Sequence, residues 1–368
     1  MTAWTAGLGL TAIRNALERN AGGYVGVEAE RTLLRVARHQ TRGRREAWSV
    51  ASIPLPMESA GRLKETNRGL RAATRRAGIQ KGPAICAINS PAIDVFPLEL
   101  RPTESESLEG LVVAHAQKQL GRGLDDVVLD YAPLPDLVRR PGEGTVPVIA
   151  FAAPRELVET LLVRIEALGL NVVRILTPAC ALAPRVAGAE EEARHLIIDT
   201  ALEGTSVSVA QHGHVLLERI LPWGLRKLAE RLGSELDLDE QRCEEFLTAA
   251  SPSASTSERP GDGGEPADPM EALVREVLAP AIRELAREAA ACLDYCDSVL
   301  RHVPASAVVL VGPLANYPTL RKLLEAELNL PVRCQGEGMD LRGLPDDSHA
   351  AAFATAASCA LWKEEASG

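Results

Sequence analysis

Residues 194–224, RHLIIDTALEGTSVSVAQHGHVLLERILPWG, restrict the possible folds more than any other part of the chain. His195 to Asp199 is a short apolar run ending in an acid. Ala201 to Thr205 has the composition of a tight turn, in which Gly204 is free to take a positive φ. Thr205 to Ala210 alternates small polar and β-branched residues, the period of a strand. His212-Gly213 supplies a second turn, and Val215 to Leu221 a third strand. Three short strands joined by tight turns make a meander. Asp199, at a strand end facing a turn with Gly204 and Thr205, is a candidate phosphate holder.

The plan occurs twice. Tyr24 to Ala37 reads as two strands around a turn at Glu28–Arg31, and Arg45 to Ile53 as a third. A helix over Ser59 to Ala77 follows, with Leu63, Leu70 and Ala73 on one face and Gly78 as its C-cap. Two strand-like runs come next, Ala84–Ile88 and Ile93–Leu100, then a helix to about Leu120. That helix is expected to be capped by Thr103, supported by Glu106, and to bury Leu108, Leu111 and Val112. Strands at Val127–Leu134 and Val146–Phe151 flank a charged loop at Arg139–Gly144. Pro154 is expected to start a helix to about Leu168. A strand at Val172–Leu176 and a short helix at Pro178–Val186 lead into the second meander.

Beyond the meander, Trp223–Leu232 and Leu238–Leu247 read as short helices. Residues 249–268, AASPSASTSERPGDGGEPAD, hold too little apolar surface to offset their ordering entropy and are expected to be disordered. Pro269–Leu300 reads as one long helix with Leu273, Val277, Ile282, Leu285 and Leu293 in its buried stripe. A strand at Ala307–Val311 ends in Gly312; a helix at Pro318–Leu328, a strand at Val332–Cys334 and a helix at His349–Trp362 close the chain. The expected division is an amphipathic helix in 1–22, with Leu10, Ile13 and Leu17 on one face, and a first half over 23–82 and 154–190. An inserted αβ module takes 83–153, and a second half takes 191–248 and 269–364.

Composition removes several classes. With 46% hydrophobic and 24% charged residues the chain is globular in character, and with 3% aromatics its core has to be aliphatic. A formal charge of −10 argues against a broad nucleic-acid surface. The basic clusters at Arg35–Arg45 and Arg62–Lys81 read as solvated faces, with an acidic partner or lipid headgroups as the alternative. No run approaches the roughly 18 apolar residues of a membrane span, and the first twenty residues lack signal-peptide character, so a cytoplasmic location is expected. The seven cysteines show no paired CxxC spacing; Cys292 and Cys296 lie one helical turn apart, but no acid or histidine completes a metal site, and none is expected. Cys86, Cys180 and Cys359 read as small core residues.

A duplicated meander-plus-helix plan, with a cleft between the halves, is that of the actin-like ATPases, an α/β fold. The chain resembles PilM, the actin-like protein of type IV pilus assembly related to FtsA. The likeness rests on Glu104–Tyr131 with its V-V-L-D-Y strand, Phe151–Leu182, Ile197–Gly224 as a second phosphate loop, and Val308–Leu320 as the adenosine turn. It spans roughly Tyr24 to Leu361, apart from the insert. It implies ATP and Mg²⁺ as ligands, with Gly26, Glu28, Thr32, Asp199, Gly204, Thr205 and Gly312 at the nucleotide positions.

The departures decide what remains of that chemistry. The family's first strand reads G-I-D-I-G-S-S-S-x-K, whereas here Gly26-Val27-Glu28-Ala29-Glu30-Arg31-Thr32 stands in its place. Glu28 replaces the aspartate and Glu30 the glycine, and a carboxylate at that glycine repels an anion by on the order of several kcal/mol where solvation is poor. Ala201 and Pro313 replace two further glycines. Phosphoryl transfer depends on positioned charge and metal, so no catalytic residue is assigned and a pseudo-ATPase is expected. Asp199 and Thr205 have an alternative reading as a strand-end acid and hydroxyl that hold their own turn.

The resemblance implies a scaffold that binds the N-terminal cytoplasmic tail of a PilN-like inner-membrane protein in a groove beside the module, with self-association as a further expectation. Ile93, Val95 and Leu98 on the module strand, with Leu111 and Ala114 on its helix, are the candidate groove residues. The alternative is an ATP-switched actin-like polymer or ATPase. A third reading is the related cytoplasmic domain of a type II secretion protein, for which the resemblance implies a transmembrane segment that no later stretch supplies.

Overall fold

The structure is a computed structural model describing residues 23–42, 45–55, 71–72, 74–79, 81–103, 107–121, 123–134, 144–186, 193–248, 269–300, 303–334, 339, 341, 344 and 348–362. The amphipathic segment 1–22, most of the helix expected over 59–77, Glu106, the loop at 139–143 and the insert 249–268 lie outside the described residues.

Strands β1 (Val25–Ala29), β2 (Leu33–Arg42) and β3 (Arg45–Pro54) form the first meander. The β1–β2 turn falls at residues 30–32, later than Glu28–Arg31, and is closed by the Glu30 N–H donating to the Leu33 carbonyl at 2.9 Å. Glu28 stays in the strand because the register sets it directly across from Arg35, an opposite charge on the neighbouring strand. Arg35 is therefore buried rather than part of a solvated basic face. Gly78 has the left-handed φ of 73° expected of a cap.

Strand β4 (Gly82–Ile88) pairs in parallel with β1, so it belongs to the first sheet and not to the inserted module expected to start at 83. Its burial, continuous from Ala84, is that of a central parallel strand. The module begins with β5 (Asp94–Leu100), then α1 (Leu108–Leu120), β6 (Val127–Pro133) and β7 (Val146–Pro154), with the antiparallel order β5-β7-β6. Helix α1 buries Val112 and Ala116 against this sheet. Its cap is Ser107, whose Oγ accepts the Gly110 N–H at 3.1 Å; Thr103 lies four residues too early to cap it.

Pro154 ends β7 and immediately precedes α2 (Arg155–Ala167) rather than sitting inside its first turn. Strand β8 (Leu170–Leu176) joins β4 in parallel and completes the order β3-β2-β1-β4-β8. Val25, Val27 and Ala29 point toward Val158, Leu161 and Ile165 of α2 in one apolar cluster. The short helix α3 (Pro178–Leu182) is capped by Thr177.

The second sheet repeats the plan. β9 (Arg194–Thr200), β10 (Thr205–Gln211) and β11 (His214–Leu221) form the meander, and His212 and Gly213 both take positive φ in the tight β10–β11 turn. Helices α4 (Leu225–Leu236), α5 (Glu240–Thr248) and α6 (Pro269–Val299) follow. Strand β12 (Ala305–Val311) pairs in parallel with β9; α7 (Pro318–Leu328) and β13 (Val332–Cys334) complete the order β11-β10-β9-β12-β13. Helix α6 buries Val274, Leu278, Ile282, Leu285, Cys292 and Cys296. Leu273, expected in that stripe, is 42% exposed, because the buried face is rotated by one residue at the helix start.

The chain ends by returning to the first half. Helices α8 (Ser348–Ala351) and α9 (Ala354–Ala360) follow β13, and α9 lies on β1, β2 and β4. Small residues allow this approach: a Cβ on Gly26 would fall 1.8 Å from the Ala356 carbonyl oxygen and 2.5 Å from the Ala360 nitrogen. No helix among the described residues is long and apolar enough to cross a membrane.

Candidate functional site

The ends of β1 and β9 bring the candidate residues together at the junction of the two sheets. On the first wall, alternation along β1 places Gly26 and Glu28 on the face opposite the apolar cluster. The Arg35 Nη1 donates to Glu28 Oε2 at 3.3 Å and to Glu30 Oε1 at 2.9 Å, and Asn89 Nδ2 donates to Glu28 Oε1 at 3.4 Å. Glu28, Glu30 and Arg35 are all buried.

The second wall is the β9–β10 turn, residues 201–204. Its carbonyls face helix α4: the N–H groups of Leu225 and Arg226 donate to the Ala201 and Leu202 oxygens at 2.9 and 3.0 Å. A side chain at Gly224 would collide with this turn, 2.6 Å from the Leu202 oxygen. The turn's amides face the other way, into the first half. The Glu203 N–H donates to Glu30 Oε2 at 2.8 Å, and the Leu202 N–H faces the same carboxyl. Around this contact, Thr32 Oγ1 donates to Glu203 Oε1 at 2.8 Å, and Arg226 reaches both Glu203 Oε1 at 2.9 Å and Thr32 Oγ1 at 3.2 Å. Two walls are thus joined by one carboxylate and a small ring of charged and hydroxyl groups.

Asp199 sits behind this ring. Its Oδ2 accepts from Thr355 Oγ1 at 2.6 Å, tying β9 to α9. Beside it, Thr200 Oγ1 donates to the Val311 carbonyl at 3.0 Å and accepts the Leu314 N–H at 3.2 Å. Gly312 packs so tightly on Thr200, at a φ of 94°, that a Cβ would lie 1.8 Å from the Thr200 oxygen. Thr205 Oγ1 and Asn89 Oδ1 are buried polar atoms with no hydrogen-bond partner among the described residues.

Burial dominates the electrostatics. It pushes the carboxyls of Glu28, Glu30 and Asp199 each up to about 7, with Arg35 pulling all three the other way. Burial also opposes the charge on Arg35, but Glu28, Glu30 and Asp199 outweigh it and hold that guanidinium above its usual range. Three carboxyls around one guanidinium cannot all ionise cheaply, so this cluster retains protons near neutrality.

A nucleotide's phosphates would need these donors, and the donors are engaged. Glu30 holds the turn amides, Arg35 is shared between two carboxyls, α9 covers Gly26, and Gly312 is pressed onto Thr200. An added polyanion would also face Glu28, Glu30 and Asp199 with one buried cation among them. The residues present do not fit a triphosphate with its Mg²⁺.

Of the candidate nucleotide residues, Glu28, Thr32, Asp199, Gly204 and Thr205 therefore gather at the junction, while Gly26 and Gly312 are packing positions. Gly204 does not take the positive φ expected of it. Its role is a close approach, since a Cβ would lie 3.2 Å from Asn89 Oδ1 and 3.3 Å from the Leu221 oxygen. Of the groove residues, Ile93 is buried in the first apolar cluster. Val95, Leu98 and Leu111 are half-buried, and Ala114 on α1 is exposed. Reading the sequence missed Arg35, Asn89, Glu203, Arg226 and Thr355. Arg35 alone carried a signal, as a basic residue on the strand after the hairpin turn, where the register sets it across from Glu28.

No family model and no curated protein matches the chain. Among solved structures, one described as a PilM-PilN type IV pilus biogenesis complex matches with a TM-score of 0.70 at 20% identity, over 92% of this chain and 98% of that one. The ethanolamine utilization protein EutJ from Carboxydothermus hydrogenoformans matches with a TM-score of 0.50 at 12% identity, over 92% and 89%. The cytoplasmic domain of EpsL, an inner membrane component of the type II secretion system of Vibrio cholerae, matches at 0.36 and 12% over 59% and 77%. The chain has the actin-like ATPase fold in its PilM-like form.

Proposed function

We propose that the chain is a non-hydrolysing scaffold of a type IV pilus or related secretion assembly, held at the inner membrane by a PilN-like partner. Its work is to present a rigid docking face rather than to turn over ATP. The observation that carries this reading is the Glu30 carboxylate on the Glu203 amide, which fills with a protein side chain the place a phosphate would need. The PilM-like fold, matched along nearly the whole of a chain solved with PilN, supports the choice of partner. The docking surface in this reading is the module edge at β5, with Val95 and Leu98 and the neighbouring α1 residues Leu111 and Ala114, over a floor that includes Ile93. An extended peptide gains backbone hydrogen bonds at such an edge and specificity from adjacent apolar pockets. Self-association through other faces is part of the same proposal.

The test is co-purification with the N-terminal cytoplasmic segment of a PilN-like membrane protein. Leu98→Glu and Ala114→Glu are expected to abolish binding. Val163→Glu, on α2 where the side chain is 58% exposed, is expected to leave it intact. Equal binding by all three variants contradicts the assignment of the groove.

A further inference from the structure

We propose that the junction of the two sheets is an internal clasp, in which the Glu30 carboxyl serves as a built-in acceptor that holds the halves together without any bound ligand. The fold brings the parts together from four directions. Glu30 comes from the β1–β2 turn, the Leu202 and Glu203 amides from the β9–β10 turn, Arg35 from β2, and Arg226 from the start of α4. Backbone amides exposed on one side of a tight turn make a cradle for an acceptor oxygen, and competitors for it are sorted by affinity and local concentration. Here that acceptor is tethered to the opposite sheet, so its effective concentration is far above that of a free anion. Occupation of the cradle therefore crosslinks the two walls.

The other groups around the contact serve the same end. The carboxylate of Glu203, whose own amide is held by Glu30, is gripped by Thr32 from the first half and Arg226 from the second. Arg35 meets the second oxygen of Glu30, and Glu28 balances the remaining charge of Arg35. Asp199 stands nearby but is engaged by Thr355. The inference deepens the non-hydrolysing part of the proposed function by naming what occupies the cleft in place of phosphate. It is independent of the partner-binding part.

Hydrogen exchange of the full chain, followed by mass spectrometry over residues 201–205, tests it. In Glu30→Ala the amides of this turn are expected to exchange about tenfold faster than in the wild type. Sodium formate at tens of millimolar, an untethered carboxylate, is expected to restore much of the protection in Glu30→Ala and to change nothing in the wild type. Glu30→Gln keeps an oxygen able to accept the Glu203 N–H but loses its charge toward Arg35, and is expected to fall between the two; it decides the matter if the alanine variant does not fold. Exchange equal to wild type in both variants overturns the clasp. So does a faster rate in Glu30→Ala that formate does not reverse, or extra protection of the wild-type turn by inorganic phosphate or Mg-ATP. Loss of partner binding with the clasp intact would count against the docking proposal alone.

Discussion

Glu30 accepts the backbone N–H of Glu203 at 2.8 Å, a contact between residues 173 positions apart that belong to different sheets. Glu30 is cut off from bulk water and Glu203 is half-buried, so the carboxyl has few substitute partners. Removing the carboxylate takes the acceptor from a half-buried amide and leaves Arg35 hydrogen-bonded to Glu28 alone. Glu30→Ala is expected to lower unfolding stability by about 1–3 kcal/mol, read as the midpoint shift in urea. A midpoint equal to wild type would show that the contact contributes nothing net.

The carboxyl cluster gives an unusual pH dependence. Glu28, Glu30 and Asp199 titrate near 7 in the folded chain and near 4 in the unfolded one. Between these values the folded state binds more protons than the unfolded state, so this contribution to stability is fully present below pH 4 and is lost as pH rises through 7. The wild type is expected to be more stable at pH 5.5 than at pH 8. In Asp199→Asn, which preserves an acceptor for Thr355, the fall over that interval is expected to be shallower. Denaturant titrations at the two pH values measure both slopes, and identical slopes would contradict the shared proton account.

Gly26 separates a packing role from a phosphate-loop role. A methyl group there meets the backbone of Ala356 and Ala360, which cannot move aside as a flexible side chain could. Gly26→Ala is expected to cost at least about 1–3 kcal/mol, the range for overpacked cores. A variant as stable as wild type would mean that α9 does not press on β1 as described.

The start of α1 offers a local test. Ser107→Ala removes the side-chain acceptor for the Gly110 N–H and is expected to cost about 1 kcal/mol. A Ser107→Ala variant as stable as wild type in thermal unfolding would contradict the cap.

Much of the architecture was legible from residue patterns. Period-two alternation in residues 194–224 and turn residues such as His212-Gly213 located the second meander, and the same plan around Tyr24 revealed the duplication. The module boundary was misjudged because a parallel β4 and an antiparallel β5 are both short apolar strands, and pairing partners are a tertiary property. In the α6 stripe Ile282 and Leu285 are buried and Val277 and Leu293 half-buried, and only Leu273 was misplaced, because alanines along the helix weaken the contrast between its faces. At the site, Glu30 was recognisable as a misfit for phosphate, since charge alone shows that. That its carboxylate reaches the Glu203 amide was not recognisable, because the contact needs the two halves to be docked. Asp199 was found by its place at a strand end, while Thr355, its hydroxyl partner, lies in a helix of small residues with no local mark.

The central claim is that the protein's own side chains close the cleft to nucleotide, and a thermal-shift titration with Mg-ATP tests it most directly. A specific ligand present at about 100 times its dissociation constant would stabilise the fold by about 2.7 kcal/mol, a shift of several degrees. For the wild type, millimolar Mg-ATP is expected to leave the midpoint unchanged. A rise of several degrees that disappears in Asp199→Ala would contradict the account and return the junction to the role of a nucleotide site.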